Sequence, residues 1–191
     1  MKATSFSLIL FSCLLFSCAN VNSTVGNADS TFIVSTGQIG LIKQMMTVQE
    51  VLDTYPSGSI KKVTSQGEFA EDQYDDYEVH DSEGRHIFTF TPVRNNDPHA
   101  RIESVTILDE RFKTDKGIGL SSTYGQLTEA YEALDCSPDM ETIDISITRL
   151  KARFSIQKSD LEEGWWKERE KEIDTSKIPT DTSLSGFLIQ W

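Results

Sequence analysis

The sequence predicts an α+β fold in which two short amphipathic helices pack on an antiparallel sheet. Apolar residues recur at helical spacing in two short stretches, and other apolar segments are short runs rich in β-branched and aromatic residues. The connections are short enough for antiparallel pairing, and the sequence lacks the alternation of strand and helix that is typical of a parallel sheet. Residues 31–191 are numerous enough for a single domain with its own core.

The first residues have the layout of an export signal. Lys2 supplies a positive charge, and Phe6–Phe16 is an apolar run of eleven residues, too short for a membrane-spanning helix of about 20 residues. The run ends in Leu15-Phe16-Ser17-Cys18, which is similar to the lipobox of bacterial lipoproteins. That resemblance implies a signal peptide at 1–17 and an acyl chain such as palmitate on Cys18, which would tether the protein to a membrane. The alternative is an ordinary secreted protein that is cleaved nearby.

A flexible tether is expected at 18–30, because Ala19–Ser30 is rich in Asn, Ser and Gly and has no periodic apolar face. Such a segment reaches roughly 20 Å. The resemblance to lipoprotein sorting signals implies the outer membrane, since Ala19 stands where an Asp often marks inner-membrane retention. The residues after Cys18 lack the acidic run of some surface-export signals, which favours the periplasmic face.

Charge and cysteine content restrict the partners and the chemistry. Removal of Lys2 with the signal changes the formal net charge from −12 to −13, which argues against nucleic acid and anionic lipid headgroups and is compatible with a basic protein partner. Cys13 leaves with the signal and Cys18 takes the lipid, so Cys136 has no partner for an intramolecular disulfide. Asp135 beside it should raise the pKa of the thiol, which favours a buried structural cysteine over a nucleophile.

The first helix is predicted from an apolar stripe at Val48, Val51, Leu52 and Tyr55, and Pro56 should stop it. Thr47-Val-Gln-Glu50 is a capping box for its first turn. The segments that follow it indicate four strands, with a turn at Asp81–Gly84 between the middle two. These strands are Ile60–Thr64, Tyr77–His80, His86–Thr91 and Arg101–Leu108.

The second half repeats this order. A second stripe is formed by Leu127, Ala130, Tyr131 and Leu134, and Thr123-Tyr-Gly-Gln126 can cap its helix. The strands expected after it are Ile143–Thr148, Ala152–Gln157 and Leu184–Trp191. Between the last two, Leu161–Ile178 is densely charged around Trp165 and Trp166 and should form a helical turn or an ordered loop.

An internal duplication explains this order. Ile39-Gly40-Leu41 recurs as Ile118-Gly119-Leu120, and the same offset of 79 aligns the two apolar stripes. The halves would be about 31–110 and 111–191, and the alternative is coincidence. The two Ile-Gly pairs are interpreted as tight entries into the helices, where Gly tolerates unusual φ.

The order of these motifs resembles the YfeY-type bacterial envelope lipoproteins, a domain family of unknown function. The resemblance is carried by the Ile-Gly pair before a helix that ends at Pro56-Ser57-Gly58, by the strand Ile102–Leu108, by Gly117-Ile-Gly119 and by the C-terminal Phe187-Leu-Ile-Gln-Trp191. It implies an envelope location and a fold, and the family has no established chemistry to transfer.

The acidic run from Glu68 to Glu78 is the densest charge cluster of the chain. Its carboxylates could bind Ca²⁺, but their spacing fits no EF-hand loop, so a solvated loop entering the hairpin is favoured. The six acidic residues are Glu68, Glu71, Asp72, Asp75, Asp76 and Glu78.

The histidines are the other candidates for a metal site. His80 and His86 could face each other across the predicted hairpin, whereas zinc needs three or four ligands and no Cys or patterned acid completes the set. Surface or cross-strand histidines are therefore favoured, and no metal or other cofactor is predicted. His99 is the third histidine.

No catalytic motif is visible. Ser121 and Ser122 lie in no Gly-x-Ser-x-Gly elbow, and Lys116-Gly-Ile-Gly lacks the spacing of a phosphate-binding loop. We therefore expect a non-catalytic interaction or assembly module, with a small-ligand or cation carrier as the alternative and an enzyme third. The candidate interaction surface comprises Trp165, Trp166, Asp72, Asp75 and Asp76, although both tryptophans could instead cover edges of the core.

Overall fold

The computed structural model of the protein describes residues 30–66, 73–132, 134–162 and 173–191. The described residues form two α-helices and twelve strands. The helices are α1 (Val48–Thr54) and α2 (Tyr124–Ala130). The strands are β1 (Ile33–Ser35), β2 (Gln38–Ile39), β3 (Ile42–Lys43), β4 (Ile60–Gln66), β5 (Gln73–His80), β6 (His86–Pro92), β7 (Ile102–Ile107), β8 (Lys113–Thr114), β9 (Asp135–Pro138), β10 (Thr142–Ile147), β11 (Ala152–Gln157) and β12 (Gly186–Gln190).

The larger sheet has eight strands in the order β4-β5-β6-β7-β12-β11-β10-β9, and every neighbouring pair is antiparallel. Each half of the chain supplies a four-stranded meander, and the last strands of the two meanders pair at Thr106 with Leu188. All seven strands that the sequence predicts are present, Ala152–Gln157 with the predicted ends and the other six with shifted ends. Alternation of apolar and polar residues is a local signal, which is why the sequence carries it.

A second sheet, with the order β3-β2-β1-β8, was not expected. Its strands are two or three residues long, too short to show a period, and β1 pairs with β8 in parallel. The expectation of one antiparallel sheet is therefore wrong in the number of sheets and in the direction of one strand pair. The architecture is nevertheless α+β and mostly antiparallel.

The glycines of the two Ile-Gly pairs are required by close backbone approach. A Cβ atom on Gly40 would lie 2.2 Å from the carbonyl oxygen of Thr31, and one on Gly119 would lie 2.3 Å from that of Phe112. Gly40 also has a positive φ of 52°. At both positions one backbone segment packs directly on another, so Gly is required for steric reasons, and at Gly40 for its φ as well. The interpretation as entries into the helices is wrong for Gly40, which lies in the turn between β2 and β3 and not at the start of α1.

Both helices begin with the capping boxes that the sequence predicts. The Thr47 hydroxyl accepts from the backbone N–H of Glu50, and the Glu50 carboxylate accepts from the N–H of Thr47. Thr123 and Gln126 make the same reciprocal pair.

The predicted stripe of the second helix is wrong beyond Ala130. Tyr131 has extended backbone angles and ends α2, so Leu134 lies outside the helix. The helix buries Tyr124 and Leu127, which match Val48 and Val51 of α1 by position after the N-cap. In α1, Leu52 is only half-buried, although it packs against the core.

The helices and the small sheet pack against one face of the large sheet. Tyr55 at the end of α1 contacts Phe88 of β6 edge to face, and Phe88 in turn contacts Phe112 beside the small sheet. Cys136 of β9 is half-buried, and burial followed by the Asp135 charge raises the pKa of its thiol. The described residues contain no helix that is both long and apolar enough to cross a membrane.

The acidic run is not a solvated loop where the structure describes it. Asp75, Asp76 and Glu78 lie in β5, where Asp75 is buried and the other two are half-buried. The Asp75 carboxylate pairs with the Lys62 ammonium at 2.8 Å and accepts from the backbone N–H of Asn96 at 2.5 Å. Burial raises the pKa of Asp75, but these donors outweigh it and hold the pKa below its usual value.

Candidate functional site on the open face of the large sheet

The face of the large sheet that points away from the helices is polar, and we call it the open face. Side chains alternate along each strand, so the neighbours of buried residues such as Tyr77 and Phe154 point to this face. Most of them are half-buried or exposed. The open face includes Lys61, Asp76, Glu78, His80, Thr89, Thr91, Ser104, Thr106, Leu188, Arg153, Ser155, Asp144, Ser146 and Asp135.

Two carboxylates on this face accept hydrogen bonds from hydroxyls of the adjacent strand. Thr91 donates to Asp76 at 2.5 Å, and Ser155 donates to Asp144 at 2.8 Å. Asp144 is buried and also pairs with Arg153 at 3.4 Å. Both aspartates lie on the second strand from an edge of the sheet, so the two pairs occupy matching positions in the two meanders.

Glu78, His80 and His86 converge at the β5–β6 end of the open face, and we call these residues the histidine cluster. His80 pairs with His86 in register, and their rings stack with centroids 5.1 Å apart. One ligand atom from each of the three residues lies within 4.8 Å of the others, and all three residues are half-buried. The expected facing of the histidines is confirmed. The statement that no acid completes the set is wrong.

The signal for Glu78 was present in the sequence. Glu78 and His80 are two residues apart, so a strand places them on the same face. The predicted strand Tyr77–His80 already contains both residues, but Glu78 was also assigned to the solvated acidic run, and its place on the strand beside the histidines was overlooked. In the structure β5 runs from Gln73 to His80, and its pairing with β6 places Glu78 beside the histidines.

The turn that joins β5 to β6 is closed by hydrogen bonds and ion pairs of Asp81. The Asp81 carboxylate accepts from the backbone N–H groups of Glu83 and Arg85, and its other oxygen pairs with the side chains of Arg85 at 2.7 Å and Arg111 at 2.6 Å. Arg111 also pairs with Asp109 at 2.6 Å. Donation from Arg85, and then from Arg111, holds the pKa of Asp81 well below its usual range. This network positions the two strand ends that carry His80 and His86.

A separate cleft of about 500 Å³ lies beside the end of α2. Tyr131 lines it, with the Lys116 ammonium 4.7 Å and the Arg149 guanidinium 6.0 Å from the ring centroid. Asp115 pairs with Arg149 at 3.2 Å and accepts from the Tyr131 hydroxyl. Burial raises the pKa of Tyr131. The cations of this cleft therefore already have an anionic or aromatic partner.

The predicted interaction surface is described only in part. Asp75 is buried in its pair with Lys62 and does not belong to an exposed surface, whereas Asp76 lies on the open face. Cys18, Asp72, Trp165 and Trp166 lie outside the described residues.

Comparison with known proteins shows the fold. No protein-family model and no curated protein sequence matches the chain. A crystal structure of the uncharacterized protein YfeY from Escherichia coli is similar, with a TM-score of 0.56 over 83% of this chain and 99% of that chain, at 10% sequence identity. The expected resemblance to a YfeY-like domain is therefore confirmed at the level of the fold.

Proposed function

We propose that this protein is a lipid-anchored, periplasm-facing envelope protein that acts without catalysis by binding a basic protein partner on its open face. The observation that carries the proposal is the open face itself, which spans all eight strands of the large sheet. Eight strands about 4.8 Å apart and about 20 Å long give a surface of roughly 700 Å². A standard protein interface takes about 800 Å² per partner, so the face alone is of suitable size.

Charge supports a basic partner. The open face carries four carboxylates and two cations, and the whole chain has a formal net charge of −12. Complementary charge accelerates encounter and fixes orientation more than it adds affinity. The carboxylates are Asp76, Glu78, Asp144 and Asp135, and the cations are Lys61 and Arg153.

The anchor is supported by the sequence Leu15-Phe16-Ser17-Cys18 and by the polar segment that follows it. An acylated Cys18 would place the open face within reach of partners in the same compartment. The outer membrane remains the proposed location, since Ala19 follows the cysteine.

A charge change at the centre of the open face tests the partner. Thr106 is exposed and lies on β7 opposite Leu188 of β12, where the two meanders meet. Capture of partners from crosslinked envelopes should be reduced at least about tenfold by Thr106→Lys, because like charges across an interface repel. Thr106→Glu adds similar bulk with the opposite charge and should preserve capture.

Three outcomes would contradict the proposal. Equal loss with both Thr106 variants would mean that bulk rather than charge matters, and no loss with either would mean that the partner binds elsewhere. Capture that is insensitive to salt would remove the electrostatic argument. In those cases Trp165 and Trp166 define the next surface to test.

We infer that the two halves arose by duplication. The mirrored strand order supports this, as do matching hydrogen bonds between each helix start and the segment before each meander's last strand. Matching residues at the two helix starts are 76 positions apart in the sequence, and their hydrogen-bond partners are 82 positions apart. The separation of 79 between Gly40 and Gly119 therefore applies to that motif alone. The corresponding bonds are Val48 N–Ala100 O with Tyr124 N–Thr182 O, Gln49 N–Pro98 O with Gly125 N–Thr180 O, and Ile102 N–Met46 O with Leu184 N–Ser122 O.

A further inference from the structure

We propose that Glu78, His80 and His86 bind a divalent transition-metal ion of the zinc and copper class. This site lies at one end of the open face, and its metal binding does not rest on the proposed function. Among the described residues, this is the one group of three histidine, cysteine or acidic side chains whose ligand atoms all lie close together.

The ligand chemistry selects the ion. Two imidazole nitrogens and one carboxylate oxygen suit Zn²⁺, Cu²⁺ and Ni²⁺, whereas Ca²⁺ and Mg²⁺ prefer oxygen ligands alone. Within this class the Irving–Williams order favours Cu²⁺ over Zn²⁺. Three protein ligands leave a fourth position for water or for a group from another molecule.

The distances require only a modest closure. Zinc binds imidazole nitrogen at about 2.0–2.1 Å, so tetrahedral ligands lie roughly 3.4 Å apart. The three ligand atoms lie within 4.8 Å of one another, and the Nε2 of His80 is 3.9 Å from the Oε2 of Glu78. A closure of roughly 1 Å is within reach of side-chain rotation at half-buried positions.

Neighbouring groups hold the ligands in place. The Nε2 of His86 is 2.9 Å from the Thr89 hydroxyl, and a ring that donates to this hydroxyl presents Nδ1 as its ligand atom. The Asp81 turn fixes the strand ends on which both histidines lie. Lys61 approaches Glu78 at 3.5 Å, but its side chain is 69% exposed, so an ion can displace it at little cost.

A purely structural histidine pair makes a different prediction. Stacked rings that only stabilise the hairpin would be indifferent to metal ions, and removal of Glu78 would leave the histidines unchanged. Metal binding instead couples all three residues, and it leaves His99, which lies outside the cluster, unaffected.

The test titrates the full-length chain in detergent, after alkylation of its thiols, with Zn²⁺ in a calorimeter. We expect one equivalent to bind, and His80→Ala, His86→Ala and Glu78→Gln should each weaken binding at least about tenfold. His99→Ala is the matched control and should not change it. Thermal unfolding without metal identifies any variant that fails to fold.

Two spectroscopic measurements on the unchanged chain keep the test independent of the variants. Addition of Zn²⁺ should shift the ring resonances of His80 and His86 and leave those of His99. Bound Cu²⁺ should show coupling to two nitrogens in its electron paramagnetic resonance spectrum. Absence of stoichiometric binding, equal weakening by His99→Ala, or shifts at all three histidines would overturn the site.

Discussion

Asp75 is buried at the edge of the core although it lies in an acidic run. It is 5% exposed, whereas its neighbour Asp76 is half-buried and accepts from Thr91. A pattern of like charges predicts solvent exposure, yet Lys62 reaches Asp75 diagonally from the edge strand and Asn96 donates from the loop after β6. Local charge density therefore says little about which acid is buried.

Replacement of Asp75 should destabilise the protein. Asp75→Asn removes the charge that Lys62 and the backbone of Asn96 contact, and a hydrogen bond to a charged group contributes about 1.5–3 kcal/mol. Chemical denaturation should show a loss of free energy of unfolding in that range. Asp76→Asn is the matched control and should cost less, so a larger loss at Asp76 would contradict the burial argument.

Asp81 should make stability depend on acid pH. Its pKa in the folded protein is depressed by Arg85 and Arg111, so its contribution is fully present above the unfolded pKa of about 3.9. The contribution is lost as the pH falls from about 4 through the lower folded pKa. The free energy of unfolding should therefore decrease below about pH 4, and Asp81→Asn should reduce both the stability at neutral pH and this decrease.

The control for this prediction is Glu110→Gln, which changes an exposed carboxylate with no ion pair in the described part of the chain. Its profile should follow that of the unchanged protein. An Asp81→Asn profile that is parallel to the unchanged one between pH 4 and pH 2 would show that the turn network contributes nothing through ionisation.

At the scale of elements, the two helices have seven residues each, and such short helices have little stability of their own. Their starts depend on the capping boxes and on backbone hydrogen bonds to distant segments, at Ala100 for α1 and at Thr182 for α2. Each helix therefore needs the segment that precedes the last strand of its own half.

The caps should contribute equally if the halves are equivalent. Thr47→Ala and Thr123→Ala should each lower the free energy of unfolding by about 1 kcal/mol, the usual cost of a lost N-cap. Thr47→Ser and Thr123→Ser keep the hydroxyl and should cost little. A cost at one helix with none at the other, measured by denaturation, would argue against equivalent roles.

At the scale of the whole molecule, the proposed anchor would decide where the open face and the histidine cluster operate. Cys18→Ser should leave an uncleaved or soluble form, because the sulfur that would carry the lipid is gone. Labelled palmitate should be incorporated into the unchanged protein and not into the variant. Cys136→Ser is the control and should label normally, and equal labelling of Cys18→Ser would refute the anchor.

The sequence by itself determined the features that depend on residues close together along the chain. Several features follow from the spacing of residues, because a helix repeats every 3.6 residues and a strand every two. They are the capping boxes at Thr47 and Thr123, the turn at Asp81 and the facing of His80 and His86. Charge and composition likewise need no coordinates, which is why the exclusion of nucleic acid could be argued from them.

Only the tertiary structure decided which distant segments meet. Some contacts join residues whose spacing in the sequence carries no periodic signal. They are the pairing of β7 with β12, the parallel pairing of β1 with β8 and the ion pair of Asp75 with Lys62. The distance from Glu78 to the histidines belongs here too, because it depends on the register of β5 with β6, in which Glu78 pairs with Thr89 and His80 with His86. The register between strands is set by packing of the whole core. That packing depends on many contacts between distant residues, and no local sequence pattern specifies them.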